Sequence, residues 1–344
     1  MISPQSGPVA VTGATGFIGS YVIQELLARG HHVRACVRDP NDSKKLAHLE
    51  ALRAGRPGTL AFVRGDLLEQ GSYDAAFDGA AGVIHTAAVV LLAARDAEKT
   101  IVEPSLLGTR NVLDAIEKAG SVRRLVHTSS VVAMVSRPEP GRIYTEADWS
   151  DEATLKSDPY AYAKREAERM VAAFPHTSVV RINPTLVFGP VMTRVHSKAS
   201  PAIVWDMLAG TYPAYPRFSF STVDVREVAR AHVEALERPA ASGRYLVSAA
   251  DAWFADMAKI LADAMPDLKI RTGQMPDFMM YLVALVEKRL SFAMLKNLLG
   301  RPQQVDASRS KAELGITYRS LRDSLVDTAR SMIDQGFVKP KKKS

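Results

Sequence analysis

Little cysteine and no long apolar segment are the first features of this sequence. Cys36 is the only cysteine among 344 residues, which excludes an intramolecular disulfide framework and a metal centre built from several cysteines. We therefore expect no bound metal. The most apolar late segment covers residues 278–286 and is much shorter than the ~20 residues that a membrane-spanning helix needs. We predict that this segment forms a helix packed on the body of the protein.

Targeting signals and nucleic-acid-binding patterns are also missing. The first residues contain no basic segment followed by an apolar one, so we expect no secretory signal and a cytoplasmic location. The net charge is +7, but without Lys339, Lys341, Lys342 and Lys343 it falls to +3. Short runs of one charge at a chain end are usually solvated, so residues 337–344 are interpreted as a basic tail. No other basic stripe is interleaved with aromatic residues, so we expect no nucleic-acid partner.

The sequence alternates between strand and helix patterns. Hydrophobic residues make up 47% of the chain and charged residues 24%, which is typical of a globular protein. Short Val- and Ile-rich runs, as in strands buried on both faces, predict strands at Val9–Thr12, His32–Val37, Leu60–Val63, Gly82–His85, Arg124–His127, Ser178–Ile182 and Arg244–Val247. Helical spacing predicts helices at Phe17–Arg29, Glu103–Ala119, Pro159–Ala173 and Asp224–Glu237. This alternation predicts an α/β fold: a Rossmann-type, doubly wound parallel sheet with helices on both faces.

The alternation stops after Pro184, which suggests a second, smaller unit. Residues 186–222 show no clear period, and residues 251–336 have mainly helical patterns. We expect a dinucleotide-binding domain formed by residues 1–185 together with about 223–248. A smaller, mainly helical substrate lobe is then expected from about 186–222 and 249–336.

A glycine-rich loop connects the first strand to the first helix. Gly13, Gly16 and Gly19 have the spacing GxxGxxG; they permit, in turn, the tight turn, close approach of the backbone to a pyrophosphate, and close packing of helix on strand. The free amides at the start of the helix bind phosphate. The predicted cofactor contacts here are Gly13, Thr15, Gly16, Phe17, Ile18 and Gly19.

Cations after the second strand favour NADP over NAD. Arg38 follows Val37 directly, and Lys45 stands seven residues later; cations at this place bind the 2′-phosphate of NADP. Asp39 is a complication, because an acidic residue near here is typical of NAD sites. Asp66, after the third strand, has two open interpretations, a contact to adenine or a helix N-cap.

Two further segments carry groups suited to acid–base chemistry. Tyr160 and Lys164 are four residues apart and share one face of a predicted helix; an ammonium near a tyrosine favours the phenolate and promotes proton exchange. Ser129 and Ser130 end the fifth strand, where a hydroxyl can hold a substrate oxygen. Neighbouring strand residues face opposite ways, so only one of the two serines can serve directly, and the sequence leaves open which one.

Taken together, these motifs resemble those of extended short-chain dehydrogenases/reductases, above all dihydroflavonol reductases, cinnamoyl-CoA reductases and related bacterial and yeast aldehyde/ketone reductases. The resemblance covers about residues 8–335 and is carried by VTGATGFIGSYV (11–22), VRDPNDSKK (37–45), GDL (65–67), RRLVHTSS (123–130), YAYAK (160–164), PTLVFGP (184–190) and VDVREVARAH (223–232). It implies that Ser130 orients the carbonyl, that Tyr160 is the general acid, and that Lys164 binds the nicotinamide ribose and tunes Tyr160. It also assigns Arg38 and Lys45 to the 2′-phosphate and makes a homodimer possible.

The remaining expected cofactor contacts are Asp66, Leu67, Thr86, Ala87, Ala88, Thr128, Tyr160, Lys164 and Pro184. Two positions depart from the family pattern. Ser105 stands where the family often has Asn, and the segment Val131–Met134 replaces a small-residue loop of the plant enzymes. The second departure argues against a flavonoid substrate.

The expected substrate pocket is apolar, with few cations. Its candidate residues are Val90, Ala133, Met134, Met192, Tyr212 and Tyr215; such a lining suits an aromatic or aliphatic carbonyl compound. We expect an NADPH-dependent reductase of an apolar aldehyde or ketone, which also runs in reverse as an alcohol dehydrogenase. Three alternatives stay open: a 3β-hydroxysteroid dehydrogenase, an NAD-dependent nucleotide-sugar epimerase or dehydratase, and a non-catalytic redox sensor. Phe220, where many epimerases have Arg, argues against the second, and the presence of both Tyr160 and Lys164 argues against the third.

Overall fold

The computed structural model describes residues 2–88, 96–285, 287 and 291–343. In chain order its strands are β1 (Val9–Thr12), β2 (His32–Val37), β3 (Thr59–Arg64), β4 (Gly82–His85), β5 (Arg124–Thr128), β6 (Ile143–Tyr144), β7 (Ser178–Pro184), β8 (Leu186–Phe188), β9 (Ser219–Asp224), β10 (Gly243–Val247), β11 (Ala250–Trp253) and β12 (Gln304–Val305). Its α-helices are α1 (Phe17–Ala28), α2 (Ser43–Glu50), α3 (Asp74–Phe77), α4 (Glu103–Ala119), α5 (Pro159–Ala172), α6 (Ala202–Ala209), α7 (Val225–Glu237), α8 (Phe254–Ala264), α9 (Asp277–Val283), α10 (Phe292–Leu298), α11 (Ser308–Leu314) and α12 (Leu321–Asp334).

A seven-stranded parallel sheet forms the centre of the molecule, in the spatial order β10-β7-β5-β4-β1-β2-β3. The seven strands predicted from the sequence are these seven, and their bounds agree to within two residues. The strand order reverses between β1 and β4, and the crevice at the carboxyl ends of such a pair is where doubly wound sheets bind ligands. The predicted α/β fold class is confirmed.

Helices cover both faces of the sheet because alternate residues of a strand point to opposite sides. Val9 and Val11 of β1 lie in one core with α1 and α7, whereas Ala10 lies in another with α4. Each core holds side chains that are almost completely buried, so the central strands β1 and β4 are buried on both faces.

The later part of the chain adds a three-stranded sheet, which the sequence did not predict. Its order is β11-β9-β8, with β8 and β9 parallel and β9 and β11 antiparallel. Most of the chain after β11 is helical, as expected. Short strands joined over long sequence distances give little periodicity, so no pattern in the sequence indicated them.

The prediction that residues 278–286 pack on the body of the protein is wrong for most of the segment. Helix α9 begins one residue earlier, at Asp277; Met280 is 3% exposed, whereas Phe278 and Leu282 are 70% and 62% exposed. The apolar residues surround this short helix, so only one side of it faces the core. No helix in the described ranges has the length and apolar character needed to cross a membrane.

Candidate active site

The glycine-rich loop lies at the carboxyl end of β1, next to the end of β4. Gly13 has φ +66°, and a Cβ there would lie 2.6 Å from the backbone nitrogen of Ala87. A Cβ on Gly19 would lie 2.3 Å from the carbonyl oxygen of Gly13. Both positions therefore require glycine. Gly16, at the N-cap of α1, is exposed together with Thr15, so the first amides of the helix are accessible to an anion. This arrangement fits the pyrophosphate of a dinucleotide.

Thr12 ties the ends of β1 and β4 together. The Thr86 hydroxyl donates to the Thr12 carbonyl oxygen at 2.7 Å, and the Ala87 amide donates to the Thr12 hydroxyl at 3.3 Å. The same hydroxyl lies 2.7 Å from Nδ1 of His85. Burial lowers the pKa of His85 to about 3, helped by the nearby Lys164. His85 is thus neutral at physiological pH and packs beside the predicted cofactor site.

The predicted 2′-phosphate residues lie on the surface after β2. Arg38 is exposed at the end of that strand. Lys45, on α2, is 74% exposed and makes an ion pair of 2.7 Å with Asp42. An exposed ion pair contributes little stability, so Lys45 can exchange this partner for a phosphate at small cost.

Asp66 and Leu67 follow β3 and are predicted to contact the cofactor. The Asp66 carboxylate accepts a hydrogen bond from the Leu68 amide at 2.9 Å, and the nearest following helix, α3, begins only at Asp74. The helix N-cap interpretation of Asp66 is therefore wrong, and its contact to adenine stays a prediction. The carbonyl oxygen of Leu67 accepts from Nδ2 of Asn111 on α4, at 3.0 Å.

Tyr160 and Lys164 occupy the first two turns of α5. The helix begins with Pro159, and Asp158 caps it by accepting from the Ala161 amide at 3.0 Å. Burial raises the pKa of Tyr160 to about 12, and Asp158 adds to this shift. The expectation that the ammonium lowers the pKa of this tyrosine is therefore wrong for the described structure, because burial dominates. Burial lowers the pKa of Lys164 to about 8, while Glu168 acts in the opposite direction. At neutral pH Tyr160 is therefore a phenol, the form that a general acid needs, and Lys164 is an ammonium.

Lys164 and the end of β4 line one small cavity. Its volume is about 20 Å³, and its lining includes Leu67, Ala87, Ala88 and Lys164. Ala87 also lies against Gly13, so the cavity borders a neighbour of the glycine-rich loop on one side and, through Lys164, the predicted catalytic helix on the other. The structure thus brings these residues, which are distant in sequence, to one edge of the sheet.

The two serines at the end of β5 have different environments. The Ser129 hydroxyl is buried and donates to Oε2 of Glu168 at 2.5 Å. Ser130 is half-buried, and its Oγ accepts a long bond of 3.4 Å from the Val132 amide. The Ser130 hydroxyl hydrogen has no acceptor among the described residues, so this is the serine that can donate to a substrate oxygen. Thr128 faces the opposite side, where its hydroxyl lies 2.6 Å from Nε2 of His232.

The geometry agrees with a comparison against known families. Residues 9–248 match the model of the NAD dependent epimerase/dehydratase family. The chain belongs to this family. The match spans the whole central sheet, including the glycine-rich loop and the Tyr160–Lys164 helix.

Relatives within this family are named as reductases. The chain is 37% identical to a cinnamoyl-CoA reductase of Petunia hybrida, over 96% of this chain and 93% of the relative. It is 35% identical to a dihydroflavonol 4-reductase of Gerbera hybrida, over 77% of this chain and 74% of the relative. The structure resembles yeast methylglyoxal/isovaleraldehyde reductase complexed with NADPH, with a TM-score of 0.76, 27% identity, and coverage of 96% and 100%. The predicted membership of the extended short-chain dehydrogenases/reductases, and the oxidoreductase class, are confirmed.

The predicted substrate residues of this family member lie partly in its core. Ala133 and Met134 are buried, as is Tyr215, whose hydroxyl has no hydrogen-bond partner in the described chain. Met192 and Tyr212 are half-buried. Val90 lies outside the described residues. The substrate role of these side chains stays a prediction.

Three polar residues near the site were not predicted from the sequence: Glu168, Asn183 and Arg244. Glu168 accepts hydrogen bonds from Asn183 as well as Ser129, and it pairs with Arg244 at 2.6 Å. The one signal available was the position of Glu168, four residues after Lys164 on the same helix face as Tyr160. Asn183 and Arg244 lie on other strands, and nothing in the sequence connects them to Glu168.

Proposed function

We propose that this protein is an NADPH-dependent reductase of apolar aldehydes or ketones. The observation that supports the proposal is the cavity lined by Lys164, Ala87 and Ala88. Ala87 lies against Gly13 of the glycine-rich loop, and Lys164 is on α5, the helix that also bears Tyr160. Gly13, Gly16 and Gly19 with the first amides of α1 would hold the pyrophosphate. Lys164 would hold the nicotinamide ribose. When bound, NADPH supplies the hydride.

The chain's own residues supply the proton and orient the carbonyl. Ser130 donates a hydrogen bond to the carbonyl oxygen and so stabilises the negative charge that develops there. Tyr160, a phenol at neutral pH, donates the proton to that oxygen. The Lys164 ammonium stabilises the phenolate that remains. Ser130 and Tyr160 thus act on the carbonyl oxygen, and Lys164 acts on Tyr160.

Arg38 and Lys45 support NADPH over NADH. Both cations stand near the end of β2, where the 2′-phosphate is read in this fold. Arg38 makes no ion pair among the described residues, and Lys45 has only an exposed one. Both are therefore available to a phosphate. Yeast methylglyoxal/isovaleraldehyde reductase, a structural relative, is complexed with NADPH.

An apolar substrate is favoured over a nucleotide sugar by the surroundings of Phe220. Its ring lies 5.3 Å from that of Phe254 and 6.2 Å from that of Phe218. Together with Met280 and Leu295 these rings form an apolar cluster. A cation that would neutralise a sugar diphosphate is therefore absent from this position.

The test is reduction of a panel of aromatic and aliphatic aldehydes and ketones, followed by loss of absorbance at 340 nm. We expect turnover with NADPH, and a decrease of roughly 10²–10⁴-fold in Tyr160→Phe, the usual scale for a lost acid–base group. Tyr162→Phe is the matched control, because Tyr162 packs beside Ile101 and under Arg165. Normal turnover in Tyr160→Phe would contradict the mechanism. Tightly retained NAD without net oxidation would indicate an epimerase instead.

A further inference from the structure

Glu168 is a completely buried carboxylate next to the candidate active site. It lies on α5, four residues after Lys164, and is 0% exposed. Burying a charge costs several kcal/mol unless it is paired and hydrogen-bonded. The groups around Glu168 must therefore compensate this cost by pairing with its charge and donating hydrogen bonds.

Both carboxylate oxygens of Glu168 are occupied. Oε2 accepts from the Ser129 hydroxyl at 2.5 Å and from Nδ2 of Asn183 at 2.8 Å. Oε1 accepts from Nε of Arg244 at 2.6 Å. The carboxylate thereby joins α5 to the ends of β5 and β7 and to β10.

Arg244, at the other end of this network, is also held by several contacts. Arg244 donates to the carbonyl oxygens of Asp148 and Glu146 at 2.6 and 3.1 Å. Its guanidinium also lies 3.9 Å from the centre of the Trp149 ring. A cation held on so many sides loses little further entropy in binding Glu168, so Glu168 has a fixed partner.

Glu168 is linked to the chain around Ser130 by two routes. It binds the side chain of the preceding residue, Ser129, directly. Asn183 uses the same amide group to donate to the Ser130 carbonyl oxygen at 3.1 Å and to Glu168. The amide of Ser129 also donates to the Ile182 carbonyl oxygen at 2.8 Å. Of these contacts, the two made by the Glu168 carboxylate are the ones that tie the Ser130 segment to α5, and hence to Tyr160.

We propose that Glu168 is a positioning residue, which holds the Ser130 hydroxyl and the Tyr160–Lys164 helix in one fixed arrangement. The inference rests on the proposed function, because it assigns Ser130 and Tyr160 to the same substrate oxygen. It also explains the serine pair: Ser129 is the anchor, and Ser130 is left for the substrate.

A carboxylate is required because three different donors converge on it. Gln has nearly the same shape, but its amide nitrogen would face donors instead of accepting from them. We call the hydrogen bonds from Ser129, Asn183 and Arg244 to this carboxylate the Glu168 clamp. Glu168→Gln removes the clamp with little change in volume. Among the described residues Glu168 is also the one negative charge that raises the pKa of Lys164; the other titratable groups coupled to that ammonium are the neutral His85 and His127 on β4 and β5, and Tyr160 lies four residues before it on α5.

The experiment compares Glu168→Gln and the milder Ser129→Ala with Glu227→Gln. Glu227 is a matched control, since it is also buried and paired with an arginine, Arg319, but lies on α7 away from the site. Hydrogen–deuterium exchange of the apoproteins over residues 127–132 reports the clamp without any turnover. Kinetics with NADPH and the pH profile of kcat report its consequence.

We expect faster exchange at 127–132 in Glu168→Gln and Ser129→Ala, but not in Glu227→Gln. A displacement of about 1 Å in a catalytic group costs up to roughly a hundredfold in rate. We therefore expect kcat to fall about tenfold to a hundredfold in Glu168→Gln, with the Kd for NADPH changed less than about threefold. The alkaline limb of the kcat profile should move to lower pH in this variant only.

Unchanged exchange at 127–132 in both site variants would overturn the proposal, whether or not the protein reduces carbonyl compounds. Equal losses in Glu168→Gln and Glu227→Gln would overturn it too, since they would indicate a general loss of stability. If Glu168→Gln does not fold, wild-type exchange and kcat in Ser129→Ala would have the same meaning. If the wild-type protein reduces no carbonyl compound but both site variants still exchange faster at 127–132, the proposed function is refuted and the structural role of Glu168 stands.

Discussion

Raising the pH from 7 to 9 should remove most of the reductase activity, because Lys164 loses its proton in this range. Burial lowers the pKa of Lys164 to about 8, and the attraction of Glu168 offsets only part of this shift. Tyr160, whose pKa is raised to about 12, keeps its proton throughout. The loss of activity is therefore assigned to the ammonium and not to the general acid.

The size of the effect follows from the titration of a single group. With a pKa of about 8, about 90% of Lys164 is charged at pH 7 and about 10% at pH 9, so the rate should fall about tenfold. An unshifted lysine with a pKa near 10.4 would lose only about 4% of its charge. The sign is fixed: activity is present below about pH 8 and is lost as the pH rises through it.

The assay is kcat for NADPH-dependent reduction between pH 6 and 10, at saturating substrate and cofactor. Lys164→Arg is the informative variant, since a guanidinium keeps its charge over this range. Its profile should be flat on the alkaline side, at a lower absolute rate. Thermal unfolding at each pH separates titration from loss of the fold. A wild-type rate at pH 9 within twofold of that at pH 7 would refute the reasoning.

Two further predictions concern the cofactor site. Arg38→Asp should weaken NADPH binding by more than about tenfold and leave NADH almost unchanged, because a charge-assisted contact to the 2′-phosphate is lost; parallel titrations measure the ratio, and an unchanged ratio would mean that Arg38 does not contact the cofactor. Gly19→Ala should abolish binding of both dinucleotides and lower Tm, since its Cβ would lie 2.3 Å from the Gly13 carbonyl oxygen. Wild-type affinity in Gly19→Ala would show that the loop is not the phosphate site.

Much of the central sheet was predictable because its signals are local. A strand buried on both faces needs a continuous apolar run, as at Val9–Thr12 and Gly82–His85. The glycine-rich loop was equally readable, since Gly13 and Gly19 are demanded by contacts within one strand–loop–helix unit and its neighbour. Tyr160 and Lys164 could be paired because the α-helix places residues four apart on one face.

Only the tertiary structure decided what depends on residues far apart in the chain. It distinguished Ser129 from Ser130, because the acceptor of the first, Glu168, stands 39 residues later. Arg244 reaches the same carboxylate across 76 residues. It also left Phe278 and Leu282 of α9 exposed, although their composition predicted burial. By itself the sequence determined the seven strands of the central sheet, the helices between them and the loop that can bind phosphate, since periodicity and glycine placement act over a few residues. The choice of the free serine required folding, because a hydrogen-bond partner is selected by proximity in space.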